Sequence, residues 1–238
     1  MKDIVNWGVL GCAGIAKSTV IPSILGAANA NLYAIASRGP EKLELFTKLF
    51  QPEKTYVGYD ELLDDPLVDV VYIPLPNALH CEWVIKACEK KKHVLCEKPL
   101  AMNAREVEEI EQAARKNHVV VMEAFAYLHG PLMDKVREIL AGGRLGRIKY
   151  MESNFSYLLT DMNNVRMIKD IGGGATYDLG CYPISFFREV VGEEPDRVLP
   201  VTTVGETSRV DEDVMLMLSF PGGAKACSYY SFQSYRSV

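Results

Sequence analysis

The stretch Gly8-Val9-Leu10-Gly11-Cys12-Ala13-Gly14-Ile15-Ala16 decides how the first half of the chain is read. Residues 4–10 form an apolar run that reads as a buried strand, and residues 15–25 repeat their apolar side chains at helical spacing. A strand therefore enters a helix through a glycine-rich turn. Such a turn holds a pyrophosphate when a glycine makes the bend, a tiny residue lets the backbone come close, and a small residue lets the helix pack on the strand. Gly11, Ala13 and Ala16 supply these; Ala13 stands where a second glycine is usual, and Gly14 beside it keeps the loop small. A packing role alone fits the turn too, so its neighbours have to decide.

Outward from the turn, strand and helix alternate. Strands are expected at residues 31–36, 55–57, 68–73, 93–96 and 119–124, and helices at 40–50, 60–63, 78–90 and 104–116. That alternation implies parallel strands covered by helices. The second strand ends at Ala36-Ser37-Arg38, where an acid would grip the ribose of NAD. A hydroxyl and a guanidinium suit a 2′-phosphate instead, because arginine offers several donors in a planar fork. NADP(H) is the favoured cofactor, with NAD(H) the alternative; an arginine in a solvated loop is the bland reading.

Two further loops follow strands. Pro74-Leu75-Pro76-Asn77-Ala78-Leu79-His80 reads equally as a strand stop with a helix cap at Asn77 and as a loop at a ligand crevice. His93-Val94-Leu95-Cys96-Glu97-Lys98-Pro99-Leu100 ends a buried strand in an acid, a base and a proline. Either these charges are solvated, or Lys98 stands in the crevice at the carboxyl end of the sheet.

Near Ala124 the pattern changes. A helix is expected at 131–140, then longer strands at 148–157, 198–204, 214–220 and 224–232, the last two joined by Pro221-Gly222-Gly223 as a hairpin, which indicates a largely antiparallel sheet. Within this half lies Gly172-Gly173-Gly174-Ala175-Thr176-Tyr177-Asp178-Leu179-Gly180-Cys181-Tyr182-Pro183. Asp178 and Tyr182, four apart, share one helical face, although Pro183 requires the helix to begin near Tyr182 or bend there. A buried phenol–carboxylate pair and a functional pair both fit.

The 238 residues carry a net charge of −5 with no basic cluster beyond Lys90-Lys91-Lys92, a run expected to end a helix, so nucleic acid and anionic membrane are not expected partners. No segment approaches the roughly 18 apolar residues of a membrane span, and the start leads straight into a strand; a cytoplasmic location is expected. The six cysteines form no Cys-x-x-Cys pair and read as reduced core residues, and the four histidines lack metal-ligand spacing, so no metal is expected.

Taken together, the stretches at residues 7–16, 70–80, 93–100 and 172–183 resemble the Gfo/Idh/MocA oxidoreductase family in order and spacing. The resemblance implies an α/β protein: an N-terminal Rossmann dinucleotide-binding domain over residues 1–123, then an α+β substrate domain over 124–238 with a large, mainly antiparallel open-faced sheet. Relatives run on beyond the length of this chain, so that sheet is expected to be incomplete at its C-terminal side. It implies an NADP-dependent dehydrogenase acting on CH–OH groups of a sugar or related cyclic polyol. Lys98 resembles the family's catalytic lysine, Tyr182 its proton-transferring residue and Asp178 its second-domain acid. By the same likeness Gly11, Cys12, Ala13, Gly14, Ile15, Ala16, Ser37, Arg38, Pro74, Leu75, Asn77, His80, Glu97 and Lys98 face the cofactor, while Lys98, Tyr127, Arg166, Asp178 and Tyr182 face the substrate. Many members carry histidine where Tyr182 stands; those with tyrosine include dihydrodiol dehydrogenases, xylose dehydrogenases and the glucose-fructose oxidoreductase group, and a homodimer through the sheet face is expected. Where relatives often continue with Arg-Phe-His-Pro, this chain has Leu128-His129-Gly130-Pro131, a departure on the substrate side. A glycosidase using its nicotinamide transiently and a non-catalytic dinucleotide-binding protein are the rival classes.

Overall fold

The apolar run ahead of the glycine turn is β1 (Val5–Leu10) in the computed structural model, which describes residues 4–235. With β2 (Ala30–Ser37), β3 (Lys54–Val57), β4 (Val70–Ile73), β5 (His93–Cys96) and β6 (Val121–Glu123) it forms a six-stranded sheet of order β3-β2-β1-β4-β5-β6, every pairing parallel. The order reverses between β1 and β4, which in a doubly wound sheet is where ligands bind. Both faces are buried, as parallel strands require. Val9, Ile35 and Tyr72 pack against Ile21 and Ile24 of α1 (Ile21–Gly26) and against Leu43 and Phe46 of α2 (Pro40–Phe50). Leu10, Val71, Ile73 and Val94 face the other way, onto α3 (Asp60–Asp64), α4 (His80–Glu89) and α5 (Ala104–Asn117). Helix α5 starts cleanly because Asn103 accepts from the Glu106 N–H at 3.1 Å while the Glu106 carboxylate reaches back to the Met102 N–H at 2.9 Å. The N-cap residue of α4, Leu79, brings no side-chain bond, and a 3₁₀ turn at Asn77–Leu79 leads into the helix.

Asp65, buried after α3, pins one side of this unit. Its carboxylate accepts from the hydroxyls of Tyr33 (3.2 Å) and Tyr56 (2.6 Å), the Lys54 ammonium (2.9 Å) and the Leu67 N–H (2.9 Å). The Lys90–Lys92 run is not uniformly solvated. Lys90 pairs with Asp64, whereas Lys92 is buried and donates to the carbonyls of Asp65 (2.6 Å) and Val68 (2.9 Å).

Contacts divide the chain into Met1–Ala124 and Phe125–Val238. The second unit begins with a 3₁₀ turn at Ala126–His129 and α6 (Pro131–Ala141), then builds a sheet from β7 (Tyr150–Ser156), β8 (Arg197–Val204), β9 (Asp211–Ser219) and β10 (Lys225–Ser231), in the order β7-β10-β9-β8. Two of its three pairings are antiparallel, β9 with β8 and with β10; β7 joins β10 in parallel, so the sheet is mixed. Val214, Leu216 and Leu218 of β9 and Ala226 and Tyr230 of β10 pack on Leu179 and on Phe187 of α7 (Cys181–Val191). The opposite face is bare among the described residues, with Leu199 63%, Val201 73% and Met217 53% exposed. Strand β8 lies on the outer edge, exposed along its whole length, with Pro200 in its middle.

Two helices open differently from the expected pattern. A π-helical turn at Ala16–Val20 precedes α1, and another at Thr176–Gly180 precedes α7. Pro22 and Pro183 explain both: a proline inside a helix lacks its N–H and crowds the carbonyl four residues back, and a widened turn relieves both faults. The cysteines are all free, but only Cys88 and Cys96 are core residues; the other four are half-buried. Burial pushes the Cys88 thiol up to about 11. Among the described residues no helix is long and apolar enough to cross a membrane.

Candidate functional site

The loops leaving β1, β2, β4 and β5 all emerge at the carboxyl edge of the first sheet. In the glycine turn Gly11 adopts φ +119°, and its N–H donates to the Ala36 carbonyl at 2.9 Å, which ties the turn to the end of β2. Only glycine adopts that backbone without strain. Ala16 is fully buried against the sheet, whereas Gly14 is open, with nothing within 4 Å of where a side chain would start. The backbone of residues 12–15 is thus presented at a helix start, the arrangement a pyrophosphate needs. Cys12 and Ala13 are half-buried and Ile15 is exposed.

At the end of β2, Ser37 is buried and bonds the Cys12 thiol, while Arg38 reaches the Tyr59 hydroxyl. Burial raises the Cys12 thiol; the Ser37 bond and the charge of Lys42 oppose it. Lys42, in the first turn of α2, therefore shares this corner with Ser37 and Arg38. Two cations and a hydroxyl beside a pyrophosphate turn fit a 2′-phosphate. The sequence reading did not single out Lys42; its position four residues after Arg38 at a helix start was the available signal.

After β4, Pro74 and Leu75 are buried and Asn77 half-buried. His80, expected to face the cofactor, has no exposed surface. Its Nδ1 lies 2.7 Å from the Pro99 carbonyl and its Nε2 2.8 Å from the Leu75 carbonyl, so the ring straps together the loops after β4 and β5. Burial lowers its pKa, against the pull of those carbonyls. Any effect of His80 on a ligand passes through these loops.

The loop after β5 is fastened on three sides. The Glu97 N–H donates to the Ile73 carbonyl (3.1 Å), the Glu97 carboxylate accepts from the Tyr72 hydroxyl (2.6 Å), and the Leu100 N–H donates to the Glu123 carboxylate (2.8 Å). Burial, then the Glu97 charge, pushes the Tyr72 phenol far up, so it remains a donor. Lys98 sits on this braced backbone, ahead of a cis peptide bond to Pro99.

In the second unit the triple glycine has a specific job at Gly174. Its φ is +126°, and any side chain there would collide with the Asp211 carboxylate, which accepts the Thr176 N–H at 2.6 Å and so anchors the start of the site helix. One turn on, the Asp178 carboxylate accepts from Arg166 Nε at 2.6 Å and from the Tyr157 hydroxyl at 2.9 Å. Burial, then the Asp178 charge, raises the Tyr157 phenol. The Tyr182 ring packs among Phe125 (5.6 Å between centroids), Phe155 (5.7 Å) and Tyr127 (6.2 Å), and Tyr127 is itself held by a 2.9 Å bond from its hydroxyl to Ser185. This unit therefore gathers Tyr127, Arg166, Asp178 and Tyr182, all singled out from sequence, with Tyr157 and Phe155, which were not.

Residues 5–125 match the family described as an oxidoreductase family with an NAD-binding Rossmann fold, and residues 133–237 match the GFO/IDH/MocA C-terminal domain. An uncharacterized oxidoreductase of Rhizobium meliloti is 38% identical across 97% of this chain and 69% of its own length. D-xylose 1-dehydrogenase (NADP+) 2 of Haloferax volcanii is 38% identical across 96% of this chain and 70% of its own. Among solved structures, the 3-ketoreductase KijD10 from Actinomadura kijaniata, in complex with NADP and TDP-benzene, superposes with a TM-score of 0.91 at 31% identity, covering 97% of this chain and 71% of that one.

Proposed function

This chain belongs to the GFO/IDH/MocA oxidoreductase family, and from that membership we propose that it transfers a hydride between NADP(H) and a hydroxyl-bearing carbon of a sugar or related cyclic polyol. The observation that carries the reading is the row of loops at the carboxyl edge of the first sheet, with Ser37, Arg38 and Lys42 at one corner and Lys98 on a braced backbone. The backbone of residues 11–15 holds the pyrophosphate, and the Ser37–Arg38–Lys42 corner takes the 2′-phosphate. When bound, the nicotinamide supplies the hydride chemistry. The protein's part is placement and proton transfer. Tyr182 gives and takes the hydroxyl proton, and the Lys98 ammonium stabilises negative charge as it develops on the oxygen. A phenol titrates near pH 10 in water, so it needs cationic help to work near neutrality. Aromatic rings around Tyr182 fix the plane of that phenol and offer an apolar wall to a sugar ring.

Following reduced-nicotinamide absorbance while aldoses and cyclic polyols are screened with each cofactor tests this. Turnover with NADP+ is expected for at least one of them, and Tyr182→Phe should keep NADPH binding but lose most of the rate, about 10²-fold or more. No absorbance change with any substrate would overturn the proposal. The bare apolar face of the second sheet suits a second copy of the chain, packed face to face as a homodimer. Sedimentation as a monomer at working concentration would refute that. The six free thiols suit a cytoplasmic location.

A further inference from the structure

We propose that Arg166 is a positioning residue for proton transfer: it offsets the Asp178 carboxylate one helical turn from the Tyr182 phenol, while Tyr157 holds that carboxylate from its other side. The inference rests on the reading of Tyr182 as the acid–base residue and assigns how the second unit tunes it.

Asp178 and Tyr182 are four residues apart on one continuous helical stretch, so their side chains leave the same face. A lone carboxylate at that spacing opposes formation of a phenolate, because like charges close together disfavour ionisation. The structure does not leave it alone. Arg166 Nε sits 2.6 Å from Asp178 Oδ2, with the Asp178 side chain 13% exposed and the Arg166 side chain 41%, so the carboxylate is largely withdrawn from water while the guanidinium keeps one side open to it. The guanidinium is built in: Asn164 Oδ1 accepts from the Arg166 N–H at 3.1 Å and from Nη1 at 3.4 Å, and the Arg166 carbonyl accepts from the Gly174 N–H at 2.9 Å, at the start of the same helix. Tyr157 donates to the same Asp178 oxygen and stays protonated.

The guanidinium also lies within electrostatic reach of the Tyr182 hydroxyl. The rings that pack on Tyr182 in this unit include Phe125 and Phe155, which carry no charge, and the Tyr127 phenol. The Arg166–Asp178 pair is therefore a charged element of this unit placed to act on the phenol. Lys98 is the same in every variant below.

The test is the pH–rate profile of the full chain carrying Arg166→Gln, Arg166→Lys, Asp178→Asn, and Arg166→Gln with Asp178→Asn. Arg166→Gln should move the limb that reports phenol ionisation up by about one pH unit, with about a tenfold loss of rate on its acid side. Asp178→Asn should move it down. The double variant, which leaves no uncompensated charge, should return it toward the wild-type position, and Arg166→Lys, which keeps the charge, should leave it close to that position. An unmoved limb with a raised KM in Arg166→Gln would overturn the inference and make Arg166 a substrate contact. Equal rate loss in both single variants and the double, with no limb displaced, would overturn it in favour of a purely structural pair. Full turnover in Tyr182→Phe would instead sink the acid–base reading itself, which none of the Arg166 outcomes does.

Discussion

At the scale of single residues, the proposed cofactor corner is the clearest case of chemistry set by side-chain type. Arg38 and Lys42 bring two cations to the end of β2, where an acid would serve a bare ribose. Arg38→Ala should weaken NADP(H) binding by about 2 kcal/mol, roughly thirtyfold, with little change for NAD(H), since only the phosphate loses a charge-assisted partner. Fluorescence titration with the two reduced cofactors checks this, and equal losses would remove Arg38 from the phosphate site. Ser37 and Arg38 could be proposed from sequence because they stand at the end of a strand at a fixed distance from the glycine turn. Lys42 was passed over although it stands four residues after Arg38, and Tyr157 had no signal, because only the fold brings it to Asp178, 21 residues on. His80 was legible as a residue but not in its action, since nothing in its spacing tells a ligand contact from a buried strap between carbonyls.

At the scale of elements, local sequence dictated most strands and helices, and the exceptions have causes. Strand β6 is shorter than the apolar run from 119 suggests because the Val119 N–H is taken by the Ala114 carbonyl at 3.1 Å and the Val120 N–H by His93 Nδ1 at 2.9 Å. The helix bearing Tyr182 could not be placed from sequence while Pro183 stood inside it. The widened turn that admits the proline depends on packing, not on propensity. The start of that helix depends on Gly174 and Asp211, which lie in different elements. Gly174→Ala combines an unfavourable backbone with a collision against the Asp211 carboxylate. It should cost about 1–3 kcal/mol and disturb the Asp178 and Tyr182 positions. Denaturant unfolding together with turnover checks both, and a variant of native stability and rate would contradict the anchoring role.

At the scale of the whole molecule, the fold class followed from the alternation of strands and helices and its change near Ala124, while the parallel β7–β10 pairing did not, because strand order beyond hairpins is set by long-range contacts. Stability of the first unit leans on Asp65, which joins β2, β3 and the end of α3. Burial works against its charge, but the Tyr56 hydroxyl, the Leu67 N–H and the Lys54 ammonium outweigh that and hold it far below the usual carboxylate range. A depressed carboxylate stabilises the fold above the unfolded value, near pH 4, and that contribution is lost as pH falls through the depressed one. Asp65→Asn should therefore lower stability by about 2 kcal/mol at pH 7, with the gap from wild type narrowing below about pH 4. Denaturant midpoints at both pH values measure it; a gap that widens in acid would refute the assignment.

Pro200 has a consequence for how these molecules behave in crowds. Even-numbered residues of β9 bond to β10, as the Phe232 N–H to Glu212 carbonyl (2.8 Å) and Phe220 N–H to Ala224 carbonyl (3.0 Å) bonds show, so odd-numbered ones turn toward β8 and its odd-numbered partners. The backbone nitrogen of Pro200 is thereby aimed away from the sheet, at the outer border, where it has no hydrogen to give. A stranger's strand trying to add itself there meets a gap in the ladder. Pro200→Val would close the gap, and light scattering of concentrated solutions should then reveal filaments or clouding that the natural sequence resists.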